Sequence, residues 1–439
     1  MSSKPLSSDG RELFSLAVPA LGALIAEPLY VLADTAVVGR LGTAPLAGLG
    51  VASGALLFGY GLCIFLAYGT TAAVARLTGA GEHRQAAEQA IQSLWLAATL
   101  GIVLAVVGNL ATDSIVSGLG ATGEVADQAA IYLRVSLWGA PAMLLMMAGV
   151  GYLYGLKDTV KPLQVAVGTA GLNLVLELFL ILGMGHGIGA SAAATVVAQW
   201  LGATCYLFWI GRAVGWRQVP LTPQLGSIGR LLTVSGQLLI RNLSLAGTFL
   251  TATAVVTRIG QVNVAAHQVA FQVWTVAVLA MDAVAIAAQA MVGERLGSGD
   301  AEGAMSIGRR VIAWSVAVGL VLGIAVLVIR MPLAAIFSDD PAVVALVGFL
   351  LIHVALMAPL GGVAFALDGI LIGAGDQRFM ARAMTCSAFV AIVAMVLGRL
   401  NDLGIGWLWA AIWLSMIVRS LLLGARFSGG RWQVVGAER

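Results

Sequence analysis

Charge is what this sequence has least of. Of 439 residues, 10% are Asp, Glu, Lys or Arg, where a soluble domain carries about 25%. So sparse a set cannot cover a water-facing surface. Hydrophobic residues make up 60% of the chain, so lipid has to solvate much of it. The net charge of +3 is too small to argue for nucleic acid, and no such partner is expected. Cysteine is scarce too: Cys63, Cys205 and Cys386 lie far apart in apolar stretches, without metal-ligand spacing. They are expected as buried apolar thiols, and no metal cluster is expected. No Gly-x-x-x-x-Gly-Lys-[Ser/Thr] loop is present, which removes ATP as an energy source, and neither His-Glu-x-x-His nor Gly-x-Ser-x-Gly occurs. Polar connections are short, as at 212–229, so no soluble portion is large enough to house an enzyme. The chain is expected to be no enzyme and to need no cofactor.

What is present is a series of long apolar runs. A membrane-crossing helix needs about 20 apolar residues. Runs of that kind cover 13–37, 47–75, 89–111, 130–153, 162–182, 188–211, 230–256, 264–292, 311–330, 342–371, 381–399 and 404–425, which makes twelve. The first contains Glu27 and Asp34 and has no cleavage site after a short apolar core, so it reads as a retained span. With twelve spans, seventeen Lys and Arg, from Lys4 to Arg439, fall at one set of helix ends. Five fall at the other: Arg40, Arg134, Arg258, Arg330 and Arg399. The positive-inside rule then places both termini in the cytoplasm.

The chain also repeats itself. Residues 36–81 align without a gap on 254–299, an offset of 218 that includes Arg40/Arg258, Gly42/Gly260 and Gly79/Gly297. The same offset pairs Gly151-Tyr-Leu-Tyr-Gly155 with Gly369-Ile-Leu-Ile-Gly373. Six spans per half is an even number, so both halves enter from the same side as a parallel repeat. The expected fold is an all-α integral membrane protein of twelve helices in two six-helix lobes, 1–212 and 230–439, joined by a cytoplasmic linker at 213–229. Substrate sites in such folds lie between the halves near mid-membrane, and alternating access comes from the halves rocking against each other.

The motifs resemble one family. The first helix reads Glu27-Pro-Leu-Tyr-Val-Leu-Ala-Asp34-Thr-Ala-Val-Val-Gly39-Arg40-Leu-Gly42, the eighth opens on Ala265-Ala-His267-Gln268 and continues through Met281-Asp282, and the tenth carries Leu367-Asp368-Gly369. Together these resemble the multidrug and toxic compound extrusion (MATE) family in its DinF-like branch, from about residue 10 to 425. The resemblance implies a secondary-active exporter in a prokaryotic inner membrane, acting as a monomer on small organic compounds. It leaves the coupling ion, proton or sodium, open. One departure stands out: the fifth helix has Asn173-Leu-Val-Leu-Glu177, where the family usually has Asn-x-x-x-Asp.

Acids inside apolar spans are functional candidates, because a charge at the bilayer centre costs about 2.5–3.5 kcal/mol on insertion scales. Glu27 and Asp34 are seven apart on one face of the first helix, and Asn173 and Glu177 are four apart on the fifth. By the resemblance, Asp34, Asn173 and Glu177 form an ion site for a proton or sodium in the first lobe. In the second lobe Asp282, Asp368 and Arg241 are candidates, with a buried pair between Arg241 and one of the two acids as the structural alternative. Met143, Met146, Met147 and Gln268 are candidate cavity-lining residues, and His267 is expected to make a structural hydrogen bond. The leading expectation is proton- or sodium-driven export of amphipathic, often cationic, compounds. The alternatives are a flippase of a lipid-linked precursor and an exporter of one natural metabolite.

Overall fold

The structure, a computed structural model, describes residues 6–217 and 219–437. Lys4 and Arg439 lie outside the described residues. Twelve helices are long and apolar enough to cross a membrane, and no strand occurs among the described residues. In chain order they are α1 (Asp9–Leu41), α2 (Thr43–Gly79), α3 (His83–Leu110), α4 (Gly123–Gly155), α5 (Val160–Gly183), α6 (Ile188–Gly215), α7 (Leu231–Thr257), α8 (Gln261–Gly297), α9 (Ala301–Phe337), α10 (Pro341–Gly373), α11 (Gln377–Leu400) and α12 (Ile405–Ser428).

Several helices outrun the apolar segments that announce them. The segment 311–330 becomes a helix of 37 residues, Ala301–Phe337, about 55 Å long at 1.5 Å per residue. About 30 Å of that lies in hydrocarbon. A helix continues past the apolar window until a cap stops it. Asp300 caps α9 by accepting from the Gly303 amide at 2.8 Å, and Asp340 caps α10 by accepting from Ala342 at 2.8 Å.

The helices form two compact units, Gly22–Ser235, and Met1–Leu21 with Gly236–Arg439. This differs from the expected division in two places. The linker belongs to the first unit: Trp95 Nε1 donates to the Leu221 carbonyl at 2.8 Å, and Gln92 bonds to both Thr222 and Gln224. The start of α1 belongs to the second unit: Asp9 accepts from Arg310 Nη1 at 3.0 Å and lies 3.7 Å from Arg295. Neither ion pair could be read from a sequence in which the partners are some three hundred residues apart.

The repeat is visible in the packing. A Cβ on Gly151 of α4 would stand 2.5 Å from the Ala67 carbonyl oxygen of α2, and one on Gly369 of α10 would stand 2.3 Å from that of Ala285 in α8. Both members of that contact shift by 218. Glycine is required there because only a helix without a side chain lets another backbone approach so closely. The same offset relates Gly155 over Thr71 to Gly373 over Gln289. Each unit has its own core: Leu49, Tyr132, Leu133 and Ile188 in the first, and Trp274, Leu350, Met357 and Trp409 in the second. Cys386 is exposed and Cys63 and Cys205 are half-buried, so none of the three is the buried thiol expected. On a lipid-facing helix an apolar side chain gains nothing by turning inward.

Candidate functional site

The first unit carries a partly open cavity of about 240 Å³ whose lining includes Glu27, Tyr30, Asp34, Met143, Met146 and Asn173. Its wall is largely apolar, with two carboxyl groups and no Arg or Lys among the described residues that line it. Helix α1 places Glu27 and Asp34 on the cavity side, two turns apart, as their spacing requires. Glu27 is exposed, whereas Asp34 is 4% exposed.

Asp34 sits at the centre of a polar network built from four helices. Tyr132 of α4 donates to its Oδ2 at 3.3 Å, and Ser191 of α6 donates to its Oδ1 at 2.6 Å. The same Ser191 hydroxyl lies 3.0 Å from Oε1 of Glu177 on α5. One turn along α6, Thr195 gives its single hydrogen to the Ser191 carbonyl and takes Asn173 Nδ2 at 3.1 Å. Tyr30 of α1 lies 2.7 Å from the same Thr195 oxygen and is left as the donor. Asn173 and Glu177 are 2% and 0% exposed, and two of their oxygens, Asn173 Oδ1 and Glu177 Oε2, meet no hydrogen-bond donor among the described residues. Buried oxygens without a donor are where a proton or a cation would be held. Immediately after Glu177, residues Leu178–Gly183 widen into a π-helix, a distortion that recurs at functional positions.

The expected first-lobe set is therefore brought together, with Glu177 reaching the Asp34 network through Ser191 despite its extra methylene. Met143 and Met146 line the cavity, but Met147 does not. Successive helical positions are about 100° apart, so Met147 falls on the far flank of Met143 from Met146. Gln268 lies exposed on α8, in the second unit, and lines none of the cavities described there. His267 beside it is buried, with its Nδ1 lacking a hydrogen-bond partner among the described residues. Its ring centroid lies 6.1 Å from Phe271 and 5.9 Å from Trp409, so aromatic packing holds it rather than the expected hydrogen bond.

In the second unit Arg241 of α7 pairs with Asp368 of α10, as the structural alternative proposed. Arg419 of α12 pairs with the same carboxylate oxygen, and the charge of Asp282 also reaches Arg419. Arg419 lies inside the apolar span 404–425, the same signal that marks Arg241. Ser191, Thr195, Tyr30 and Tyr132 carried no such signal, being uncharged.

The sequence profile of the MatE family matches the chain twice, over residues 19–179 and 238–397. The chain belongs to the MatE family. The two matches fall on the two halves of the repeat, α1–α5 and α7–α11. This MatE protein is 31% identical to Protein DETOXIFICATION 44, chloroplastic, of Arabidopsis thaliana, over 97% of the chain and 84% of that protein. It is 28% identical to DNA damage-inducible protein F of Escherichia coli strain K12, over 97% of the chain and 95% of that protein. A multidrug resistance MATE family transporter solved in its outward-facing conformation superposes with a TM-score of 0.88 at 22% identity, over 96% of this chain and 97% of that one, a likeness of fold. The MatE chain is thus a membrane transporter and not an enzyme.

Proposed function

We propose that this transporter exports amphipathic organic cations by alternating access, exchanging them for protons at the Asp34–Ser191–Glu177 network. The observation that carries this reading is a proton count. Ser191 has one hydroxyl hydrogen but faces two carboxyl oxygens, at 2.6 and 3.0 Å. If the hydrogen goes to Asp34, the second contact is a hydrogen bond only when Glu177 bears a proton and donates it to the Ser191 oxygen. With both carboxyls ionised, Glu177 would face a lone pair in a site without water-like solvation, and two like charges would share it. One proton on the acid pair makes both Ser191 contacts hydrogen bonds. A cation entering the cavity beside Asp34 and Glu27 supplies the compensating charge and releases that proton. Aromatic and thioether side chains, Tyr30, Met143 and Met146, suit the apolar part of such a substrate.

Two observations bear on the other readings. The orphaned oxygens Asn173 Oδ1 and Glu177 Oε2 would also suit a sodium ion, which takes oxygen ligands, so sodium coupling stands as the second reading. A flippase for anionic lipid precursors fits less well, since the cavity lining carries acids and no Arg or Lys among the described residues. The Lys and Arg distribution supports both termini on the cytoplasmic side, the Escherichia coli relative supports an inner membrane, and a single chain holds the whole acid network, which supports action as a monomer. Proteoliposomes with an imposed proton gradient and constant sodium test the function. Dye export should collapse on adding an uncoupler and be lost in Asp34→Asn. Full proton-driven export by Asp34→Asn sinks the proposal, and export that follows sodium instead selects the second reading.

A further inference from the structure

The second unit carries a groove, of about 740 Å³, that transport by the first-unit cavity does not use. It lies between α7 and α11 and is lined by Gln237, Ile240, Arg378, Arg382, Cys386 and Phe389, with Ala381 and Thr385 between them. Its composition changes along its length. Arg378 and Arg382 are exposed, one helical turn apart, in the first two turns of α11, at the end where this chain concentrates its Lys and Arg. Thr385 and Cys386 follow a turn later, and Phe389 is 67% exposed a turn beyond that. At 1.5 Å per residue the axis from Arg378 to Phe389 covers about 16 Å, the distance from the headgroup level into the acyl region of one leaflet.

Neither arginine has a described acidic partner. The nearest acid in sequence, Asp376, accepts from Arg426 Nε at 2.7 Å, and no acid lines the groove. The two free positive charges stand beside an apolar trough. The first half of the internal repeat does not carry this feature. The residues 218 positions earlier are Pro19, Gly22, Val160, Leu163 and Gln164, which carry no charge. There α1 and α5 close on each other, so that a Cβ on Gly22 would stand 2.9 Å from the Leu163 side chain. In the second half Ile240 stands where Gly22 does and Ala381 where Leu163 does, and both line the groove.

We propose that this groove holds an anionic phospholipid of the Arg- and Lys-rich leaflet, its headgroup phosphate on Arg378 and Arg382 and an acyl chain along Cys386 and Phe389. Basic pockets between membrane helices on that side suit such headgroups, and paired guanidiniums match phosphate oxygens. The proposal is independent of the transported substrate and of the coupling ion. Cys386 is a built-in reporter, because a lipid lying along the groove covers its thiol.

The full chain is reconstituted in phosphatidylcholine vesicles with or without phosphatidylglycerol, and maleimide modification is followed at each cysteine by peptide mass. Phosphatidylglycerol should slow modification of Cys386 while leaving Cys63 and Cys205 unchanged. The protection should vanish in Arg378→Gln/Arg382→Gln, survive in Arg382→Lys, and not be reproduced by soluble glycerol phosphate. Native mass spectrometry should show retained phosphatidylglycerol falling about fivefold per arginine lost. Equal rates in the two lipids, or protection that persists in the double variant, overturns the proposal. Protection by glycerol phosphate alone overturns the assignment to a lipid.

Discussion

Asp368 accepts from two buried guanidiniums at once, those of Arg241 and Arg419, which are 6% and 2% exposed. With Asp282, whose charge also reaches Arg419, the cluster holds two cations and two acids, and charge balance keeps it together. Removing one member leaves charge stranded in a medium that cannot solvate it, whereas removing all of it together does not. Asp368→Asn is therefore expected to destabilise the protein by about 3–5 kcal/mol. Arg241→Met/Asp282→Leu/Asp368→Leu/Arg419→Met, which removes both cations and both acids, should be much closer to the parent. Thermal unfolding in detergent separates the two, and a quadruple variant as damaged as Asp368→Asn would show that the cluster contributes more than compensation. Single residues of this kind were the readable ones. An acid or arginine in an apolar span stands out against its neighbours, as Asp34, Glu177, Asp368 and Arg241 do. A hydroxyl does not stand out, because membrane serines and threonines commonly bond to their own backbone one turn back. Thr169 and Thr204 do only that. Ser191 looks the same in sequence and becomes recognisable only when the fold sets two carboxyl groups against it.

Among the helices, the decisive contacts are close approaches rather than large apolar surfaces, since lipid is as apolar as any side chain. The pairs α2–α4 and α8–α10 cross where Gly151 and Gly369 face backbone carbonyls at separations that leave no room for a Cβ. Gly151→Val and Gly369→Val are each expected to lower stability by about 1–3 kcal/mol through overpacking. Gly50→Ala on the exposed side of α2, where nothing lies within 4 Å, should be neutral or gain up to about 1 kcal/mol of helix propensity. Unfolding of the three variants under one denaturant series checks this, and similar effects at all three positions would contradict it. The Gly-x-x-x-Gly spacing in both halves was visible in the sequence, and so was the offset that relates them. Which residues of a helix face a cavity was less so. Met143, Met146 and Met147 are equivalent by composition, and only the rotation of α4, fixed by its glycine contacts on α2, decides that Met147 turns away.

At the scale of the whole chain, the count of twelve spans and the parallel repeat were legible because both are one-dimensional properties: a hydropathy run, a charge alternation, a constant offset. The division into compact units was not, because α1 contributes to both. Its turns beyond Gly22 carry Glu27, Tyr30 and Asp34, while its first turns belong with the second unit through Asp9, a residue whose side chain is 12% exposed. That aspartate lies within reach of Arg310 and Arg295, two cations from different helices, and Arg295 also bonds to Asp300, the cap of α9. Removing it withdraws negative charge from α8 and α9, not from the unit in which most of α1 lies. Asp9→Ala is accordingly expected to cost about 1 kcal/mol and to place that loss on one side. Hydrogen–deuterium exchange should quicken at the α8 end near Arg295 and the α9 start near Asp300, and stay unchanged in α3 and α5. Faster exchange spread evenly over both units would mean that the first turns of α1 are held mainly by apolar packing, and that Asp9 is incidental to where they lie.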